Sequence, residues 1–169
     1  MAAVTMNARL TAFTKQGSIF RRTSGQELDG KTNGSLTIFL TCIVTKDGQT
    51  APDLAPCAYN EVPDGIVTGL ANDATSLSKD AGDPIADNIN ILYRDVHKDD
   101  EFLLTIGAGK GAVVGELALV DHDTEGFAEN MAPAASSIAA VPPFRILGRW
   151  MATYTAVASK CQLGWCKGK

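Results

Sequence analysis

The stretch that decides the fold is Leu36–Val44, which reads LTIFLTCIV. β-Branched and aromatic side chains dominate it, and such residues favour strands because they pack well on a pleated surface. Lys46–Gly48 follows almost directly, and its residue types (KDG) are typical of a turn. This part of the chain therefore predicts a buried strand that ends in a turn.

Further short apolar segments follow, separated by turns rich in Gly, Pro and Asp. No stretch predicts a long helix, although a short one is possible over Asn72–Lys79. Short strands at this spacing predict a mainly β chain that forms a small β-barrel or β-sandwich with an extended N-terminal arm. The segments that predict strands are Ile66–Ala71, Ile89–Tyr93, Glu101–Ile106, Val113–Val114, Leu117–Val120, Phe144–Ala152 and, before a basic tail, Cys161–Cys166.

Two of these segments form an internal echo. Ile66–Thr75 and Arg145–Tyr154 each run from an aliphatic strand through a glycine, Gly69 or Gly148, into a mixed stretch with Ala and Thr. A glycine inside a strand marks a bend or a close backbone approach. Two copies alone do not distinguish a repeat from coincidence.

Charge is distributed unevenly along the 169 residues, whose net charge is −4. Residues 1–36 carry five basic and two acidic groups, residues 37–143 carry five and seventeen, and residues 144–169 carry five and none. The predicted organisation is an extended arm or loose β segment over 1–35, a β-rich domain over 36–160 and a basic C-terminal tail over 161–169.

An acidic body with basic ends suggests that the ends touch something acidic. The partner could be nucleic acid, another protein or the acidic body of a neighbouring copy, and the alternative is a chance asymmetry of a solvated surface. The candidate contact residues are the aromatic and basic side chains of the two ends, namely Phe13, Phe20, Arg21, Arg22, Arg145 and Arg149.

Motifs that would carry chemistry are weak in this sequence. Gly107–Gly111 contains a lysine between glycines but lacks the spacing of a phosphate loop, which favours a hairpin connection. Asp121–Asp123 offers three potential metal ligands, although adjacent strand residues point to opposite faces, which favours an acidic surface turn. His97 could act as a general base, but no Gly-x-Ser-x-Gly elbow accompanies it. We therefore expect no enzymatic activity, no cofactor and no metal.

The four cysteines fit neither a zinc knuckle nor a redox pair, because Cys161 and Cys166 are five positions apart. Free buried thiols are expected, while a bridge remains possible in an extracellular particle.

Apolar residues make up 45% and charged residues 20% of the chain, which excludes wholesale disorder. The longest apolar run, Leu36–Val44, is far shorter than a membrane span, and the N-terminus lacks the pattern of a signal peptide, so we expect a protein made in the cytoplasm without membrane contact.

The order of motifs from Val62 to Tyr154 resembles that of a known family. Asp64–Ala71 holds an aliphatic strand with a glycine, Ala81–Ala86 an Ala-Gly-Asp-Pro turn, Gly115–Asp121 a strand that starts with glycine and an acidic residue, and Ile146–Thr155 a second aliphatic-Gly strand. This order is similar to that of the small capsid decoration (cement) proteins of tailed viruses with the HK97-type shell. The resemblance covers about half of the chain, and its motifs describe turns and strands.

This resemblance implies a barrel-like protein without enzymatic activity that binds the major capsid protein on the outer face of the virion, often as a homotrimer, and stabilises the shell. Nucleic acid is not the expected partner, because binding it would call for more arginine and stacking aromatic residues than the basic-aromatic N-terminal segment contains. Three alternatives remain open: another small β-rich virion protein of the tail tube or head completion, a small β-barrel that binds a ligand or metal or acts as an enzyme, and a nucleic-acid-binding protein that uses its basic ends.

Overall fold

The computed structural model describes residues 19–32, 38–46, 53–70 and 90–169. Within these ranges the chain is mainly β, and its only helical residues belong to the two short 3₁₀ turns Ile138–Ala140 and Pro143–Arg145. The strands in chain order are β1 (Phe20–Arg22), β2 (Glu27–Thr32), β3 (Ile43–Lys46), β4 (Asp53–Pro56), β5 (Gly65–Leu70), β6 (Asn90–Arg94), β7 (Glu101–Ile106), β8 (Leu117–Val120), β9 (Ala128–Met131), β10 (Ile146–Trp150) and β11 (Gln162–Gly168). The expectation of a mainly β fold built on a small barrel is confirmed.

The first barrel is a closed ring of five strands in the order β2-β4-β3-β5-β6, with β6 pairing back to β2. The pair β2–β4 is parallel, and the other four pairs are antiparallel. In β6, buried Ile91 and Tyr93 alternate with more exposed neighbours, as expected for a strand with one face turned inward. Closure pairs every strand of the ring on both sides.

The second barrel follows in the order β7-β11-β10-β8-β9. A single parallel pair, Ile106↔Ala128, joins β9 back to β7 and closes this ring. β1 lies outside the ring and pairs with β7 through Phe20↔Phe102. The first described strand, β1, therefore belongs to the sheet of the second barrel, although it precedes every strand of the first barrel in the sequence.

The two barrels are copies of one topology. Each contains a parallel pair followed by three antiparallel strands in the same order. Equivalent strands begin 74 positions apart: β2 and β7 begin at Glu27 and Glu101, and β3 and β8 begin at Ile43 and Leu117. The parallel contact has the same offset, since Thr32↔Leu54 corresponds to Ile106↔Ala128. We conclude that the chain is a tandem structural repeat.

Backbone details repeat at the same offset. Thr41 and Gly115, also 74 positions apart, both have positive φ, 72° and 82°. The Thr41 amide donates to the carbonyl oxygen of Val67 at 3.0 Å, and the Gly115 amide donates to that of Trp150 at 2.8 Å. These bonds align Val67 with Trp150 and Gly65 with Gly148. The echo in the sequence thus identified equivalent strands, β5 and β10, but its alignment of Gly69 with Gly148 is wrong by four positions.

One continuous core joins the barrels. Phe39 of the first repeat packs edge to face on Phe127 of the second, with ring centroids 4.7 Å apart. The Thr41 and Thr105 hydroxyls hydrogen-bond across the junction, and the Ile43 amide donates to the Gly126 carbonyl oxygen at 2.9 Å. The two repeats are therefore packed against each other over buried apolar and hydrogen-bonded contacts.

The segment that predicted the first strand is shorter as a strand than expected. Ile38–Cys42 forms a buried turn, and the strand begins only at Ile43. The turn is required because Thr41 adopts a left-handed backbone conformation, which a continuous strand does not allow. Val113–Val114, the equivalent segment of the second repeat, is likewise a turn and not the predicted strand. The possible helix over Asn72–Lys79 lies outside the described residues.

Parts of the predicted arm and tail form strands. Phe20–Arg22 and Glu27–Thr32 form β1 and β2, and Gln162–Gly168 forms β11 in the interior of the second sheet, between β7 and β10. The physical reason is pairing: β11 makes six register pairs with β7, which satisfy backbone groups that a free tail would leave to water. Residues 1–18 and 33–35 of the predicted arm lie outside the described residues.

Candidate functional site: a basic face on the second barrel

Charged side chains line up across four adjacent strands of the second sheet. The register pairs Arg22 with Glu101, Glu101 with Lys167, and Lys167 with Arg149. Residues directly opposite in antiparallel strands project to the same side of the sheet. Arg22, Lys167 and Arg149 are exposed and Glu101 is partly buried, so this row lies on the outer surface of the barrel.

A second basic side chain is anchored beside this row. The Arg21 guanidinium lies 4.1 Å from the centroid of the Trp165 ring, a cation–π contact. Its Nη2 also lies 3.5 Å from the Met151 sulfur, and the Met151 amide donates to the Trp165 carbonyl oxygen at 2.9 Å. Arg21 is therefore held against a partly buried aromatic ring while 46% of its side chain stays exposed. We call Arg21, Arg22, Arg149, Lys167 and Trp165 the basic face.

Two carboxylates only partly balance the four cations of the basic face. Glu101 accepts from Arg21 at 3.1 Å and lies 3.9 Å from Arg22, and Asp99 lies 3.7 Å from Lys167. Arg149 donates instead to the Gly115 carbonyl oxygen at 2.7 Å. Guanidinium and ammonium groups have more donors than these contacts use. The basic face thus keeps an excess of positive charge and unused donors for an acidic partner.

The first barrel reproduces only part of this row. The positions equivalent to Glu101, Lys167 and Arg149 hold Glu27, Arg94 and Ile66, and Ile66 is completely buried. Pro63 and Ile66 line a groove together with Ile146 and Leu147 of the second repeat. The outer surface of the first barrel is covered here by the second barrel, whereas the equivalent surface of the second barrel is open.

The candidate contact residues fall into three groups. Arg21, Arg22 and Arg149 meet on the basic face, whereas Phe13 lies outside the described residues. Phe20 and Arg145 belong to the interior instead and are only 6% and 4% exposed. Phe20 packs on Phe102, with ring centroids 5.6 Å apart.

Arg145 is buried because its guanidinium has interior partners. It donates to the Val120 carbonyl oxygen at 3.0 Å, lies 3.6 Å from Glu129, and stacks over the Tyr59 ring with its central carbon 3.8 Å from the centroid. Lys167 and Trp165 of the basic face carry no motif of their own, and the only signal in the sequence that points to this part of the chain is the excess of basic residues after position 143.

The acidic turn at Asp121–Asp123 is an ion-pair cluster. One ligand atom from each of its three side chains lies within 4.8 Å of the others, but the Lys110 ammonium already lies 2.7 Å from Asp121 and 3.1 Å from Asp123. Burial opposes protonation of Lys110, yet hydrogen bonds to Asp121 and Asp123 outweigh it and raise the pKa of the ammonium. The geometry therefore favours a lysine, and not a metal, as the cation of this turn.

The two histidines are also held by carboxylates. His97 Nε2 lies 2.7 Å from Asp95, and the nearby Ser24 hydroxyl donates to Asp100 at 3.0 Å and not to the imidazole. His122 Nδ1 lies 2.7 Å from Glu129, and this hydrogen bond raises the pKa of His122. Neither arrangement is the nucleophile–base pair that covalent catalysis uses.

All four cysteines are free and buried. Burial raises the pKa of the Cys57 thiol to about 12 and that of Cys161 to about 11, so both stay protonated and unreactive near neutral pH.

None of the described helices has the length and apolar character that crossing a membrane requires.

No protein-family model and no curated protein matches the chain.

Proposed function

We propose that the chain is a virion structural protein that binds the outer surface of a viral capsid through its basic face and stabilises the shell. The observation that carries the proposal is the convergence of the two basic ends of the sequence. Arg22 and Lys167 come from opposite ends of the chain, and both flank Glu101 in one sheet. A surface assembled in this way suits an acidic protein partner, here the major capsid protein.

The architecture supports a binding role over a catalytic one. Outside the basic face, the side chains that the sequence offered for chemistry are engaged in ion pairs: Lys110 pairs with Asp121, and His122 pairs with Glu129. Exposed charge pairs contribute about 0.2–1 kcal/mol each, so one basic face binds with modest strength. A repeating shell offers many equivalent sites, and a homo-oligomer, expected to be a trimer, would convert modest affinity into avidity.

Sedimentation with undecorated heads of the encoding virus tests this proposal. We expect saturable binding at a fixed number of copies per shell, weakened as NaCl rises from about 50 to 500 mM because salt screens exposed charges. Arg149→Glu combined with Lys167→Glu removes two attractions and adds two repulsions. At about 0.5 kcal/mol for each of these changes, the loss is about 2 kcal/mol, or about 30-fold in Kd.

The matched control is Lys98→Glu combined with Lys160→Glu. Both lysines are exposed and lie outside the basic face, and the change in net charge is the same. We expect the control to bind heads nearly as the unaltered chain does. Equal losses in both double variants, or binding to single-stranded DNA in place of heads, would show that the basic face does not recognise the shell.

A further inference from the structure

An open cleft with a volume of about 420 Å³ lies beside Arg145, where the two repeats meet. Its walls come from three parts of the chain: Tyr59 belongs to the first repeat, Met131 to β9, and Ala140 and Val141 to the connection between β9 and β10. We call the space that these five residues line the repeat cleft. Its volume is typical of sites for small molecules, which measure about 300–1,000 Å³.

The connection that forms one wall of the repeat cleft is longer in the second repeat than in the first. Glu129 and Gly148 are 19 positions apart, whereas the equivalent residues Ala55 and Gly65 are 10 positions apart, so nine residues are added. The added segment includes the 3₁₀ turn Ile138–Ala140. In repeat proteins such insertions form loops on one face, which is often the face that binds a partner. The wall is therefore an addition that the shared fold does not require.

Two charged side chains at the repeat cleft are likewise confined to the second repeat. Glu129 corresponds to Ala55, which is buried in β4. Arg145 corresponds to Val62, because both lie three positions before the aligned strand glycines. The first repeat thus forms its barrel with an uncharged residue at both positions. Because burying charged groups is costly, the fold alone does not explain why the second repeat carries this pair.

Arg145 has unused hydrogen-bond donors at the repeat cleft. Its guanidinium has five N–H groups, but the one hydrogen bond that it makes to a described residue is to the Val120 carbonyl oxygen. Glu129 lies 3.6 Å away, which is too long for a hydrogen bond, and Nε is completely buried without a partner among the described residues. Stacking on Tyr59 occupies a face of the guanidinium and leaves its N–H edge free. Arg145 therefore suits an acceptor that comes from outside the chain.

The charge balance around Arg145 favours an anionic acceptor. Glu129 is the only carboxylate within 4 Å of this guanidinium in the described part of the chain, and it also lies 2.7 Å from His122 and 3.9 Å from Lys110. The carboxylates of the neighbouring acidic turn pair with Lys110 and His122 and not with Arg145. Arg145 is thus incompletely neutralised. A carboxylate is a matching ligand, since its two oxygens can accept from two N–H groups of one arginine.

We infer that the repeat cleft binds a small organic acid, whose carboxylate accepts hydrogen bonds from Arg145 and whose apolar body lies against Met131, Ala140 and Val141. An apolar lining with a few convergent polar groups is the usual character of such a site. At about 30 Å³ for each non-hydrogen atom, the volume that a water molecule occupies in the liquid, the cleft has room for about 14 such atoms. The inference is independent of what the basic face binds.

Titration of the ¹⁵N-labelled chain with 2-naphthoate, followed by NMR, tests the inference without any shell. We expect saturable binding with a Kd of about 1 mM or below, with shifts of the Arg145 Nε–H signal and of the Ala140 and Val141 amide signals. 2-Naphthamide carries the same apolar body without the charge. It should bind about 10-fold more weakly or not at all, because hydrogen bonds between charged groups are the stronger ones.

Two alanines of the connection provide a matched pair of variants. Ala140→Trp fills the repeat cleft from its exposed wall without altering Arg145, and it should abolish binding. Ala134→Trp adds the same side chain at another exposed position and should bind 2-naphthoate as the unaltered chain does. Arg145→Met removes the donors and should weaken binding about 10-fold. If Arg145→Met does not fold, the two tryptophan variants decide the matter.

The basic face is the other surface where an aromatic acid could bind, since Arg21 and Trp165 lie there. Arg149→Glu combined with Lys167→Glu should leave the affinity for 2-naphthoate unchanged. Loss of binding in this double variant, equal affinities for the acid and the amide, or binding unaffected by Ala140→Trp would overturn the inference. So would the absence of binding to the unaltered chain at about 10 mM, several-fold above the expected Kd. None of these outcomes depends on whether the chain binds heads.

Discussion

Gly148 occupies a close backbone approach in the second barrel, and Gly148→Ala probes it directly. A Cβ at this position would stand 2.0 Å from the Lys167 carbonyl oxygen and 2.9 Å from the Cys166 sulfur. Real Cβ atoms essentially never come within 3.0 Å of another atom in this way, so β10 and β11 must separate by about 1 Å.

The magnitude follows from this separation. A ladder hydrogen bond of about 2.9 Å becomes about 3.9 Å, which is outside the bonding range. One or two lost bonds cost about 1 kcal/mol each, and the strain of an overpacked site adds about 1–3 kcal/mol. Replacing a strand glycine by alanine also stabilises the folded chain by about 0.5–1 kcal/mol, because alanine loses less backbone entropy on folding. We expect the free energy of unfolding to fall by about 2–4 kcal/mol.

Urea unfolding followed by tryptophan fluorescence measures this change, because Trp150 is buried next to the altered site. Gly65→Ala, the equivalent substitution in the first barrel, brings a Cβ within 2.4 Å of the Arg94 carbonyl oxygen and should destabilise in the same direction. Gly109→Ala is the control: φ is +74° there but no atom lies within 4 Å, so only about 1 kcal/mol of backbone strain is expected. A Gly148→Ala chain within 0.5 kcal/mol of the unaltered one would refute the register of β10 on β11.

Three further predictions concern the buried and paired groups. Lys110→Met leaves Asp121 with only backbone donors, so the free energy of unfolding measured in urea should fall by about 1–3 kcal/mol. This loss is smaller than that expected for a fully buried ion pair, because the lysine is partly exposed. An unchanged unfolding midpoint would mean that the pair is not formed. Because Glu129 raises the pKa of His122, this pair stabilises the folded chain below about pH 6.5, and the contribution is lost as pH rises through the raised pKa. The melting temperature of His122→Gln should therefore fall less than that of the unaltered chain between pH 5.5 and 8.5, and parallel profiles would contradict this assignment. All four thiols, Cys161 included, should react with Ellman's reagent only after unfolding, and fast reaction of any one in the native chain would show that it is accessible.

The sequence located the strands whose signal is local. β5, β7 and β8 are aliphatic runs bounded by turn residues, and the side chains themselves carry that pattern. It did not predict β4, which reads DLAP, and it indicated β2, which reads ELDGKT, only as part of an arm or a loose β segment; both segments contain few β-formers. Those segments are strands because neighbours from other parts of the chain supply their hydrogen-bond partners, which no local pattern encodes.

The repeat was visible only as an echo between β5 and β10, in the wrong alignment. Few side chains are shared at the 74-residue offset, and what repeats is backbone pairing and the left-handed turn at Thr41 and Gly115. Topology is a property of hydrogen bonds between distant strands, so it can persist where side chains differ.

The sequence by itself determined that this protein is mainly β and that its basic residues are concentrated at its two ends. Only the tertiary structure decided that those ends meet, that Arg145 and Phe20 turn inward, and that Arg149 and Lys167 stay on the surface. The physical reason is register: β1 and β11 lie on either side of β7, and this pairing brings Arg22 and Lys167 to the same level of one sheet. Composition specifies how much charge a chain carries, and strand pairing specifies where that charge is presented.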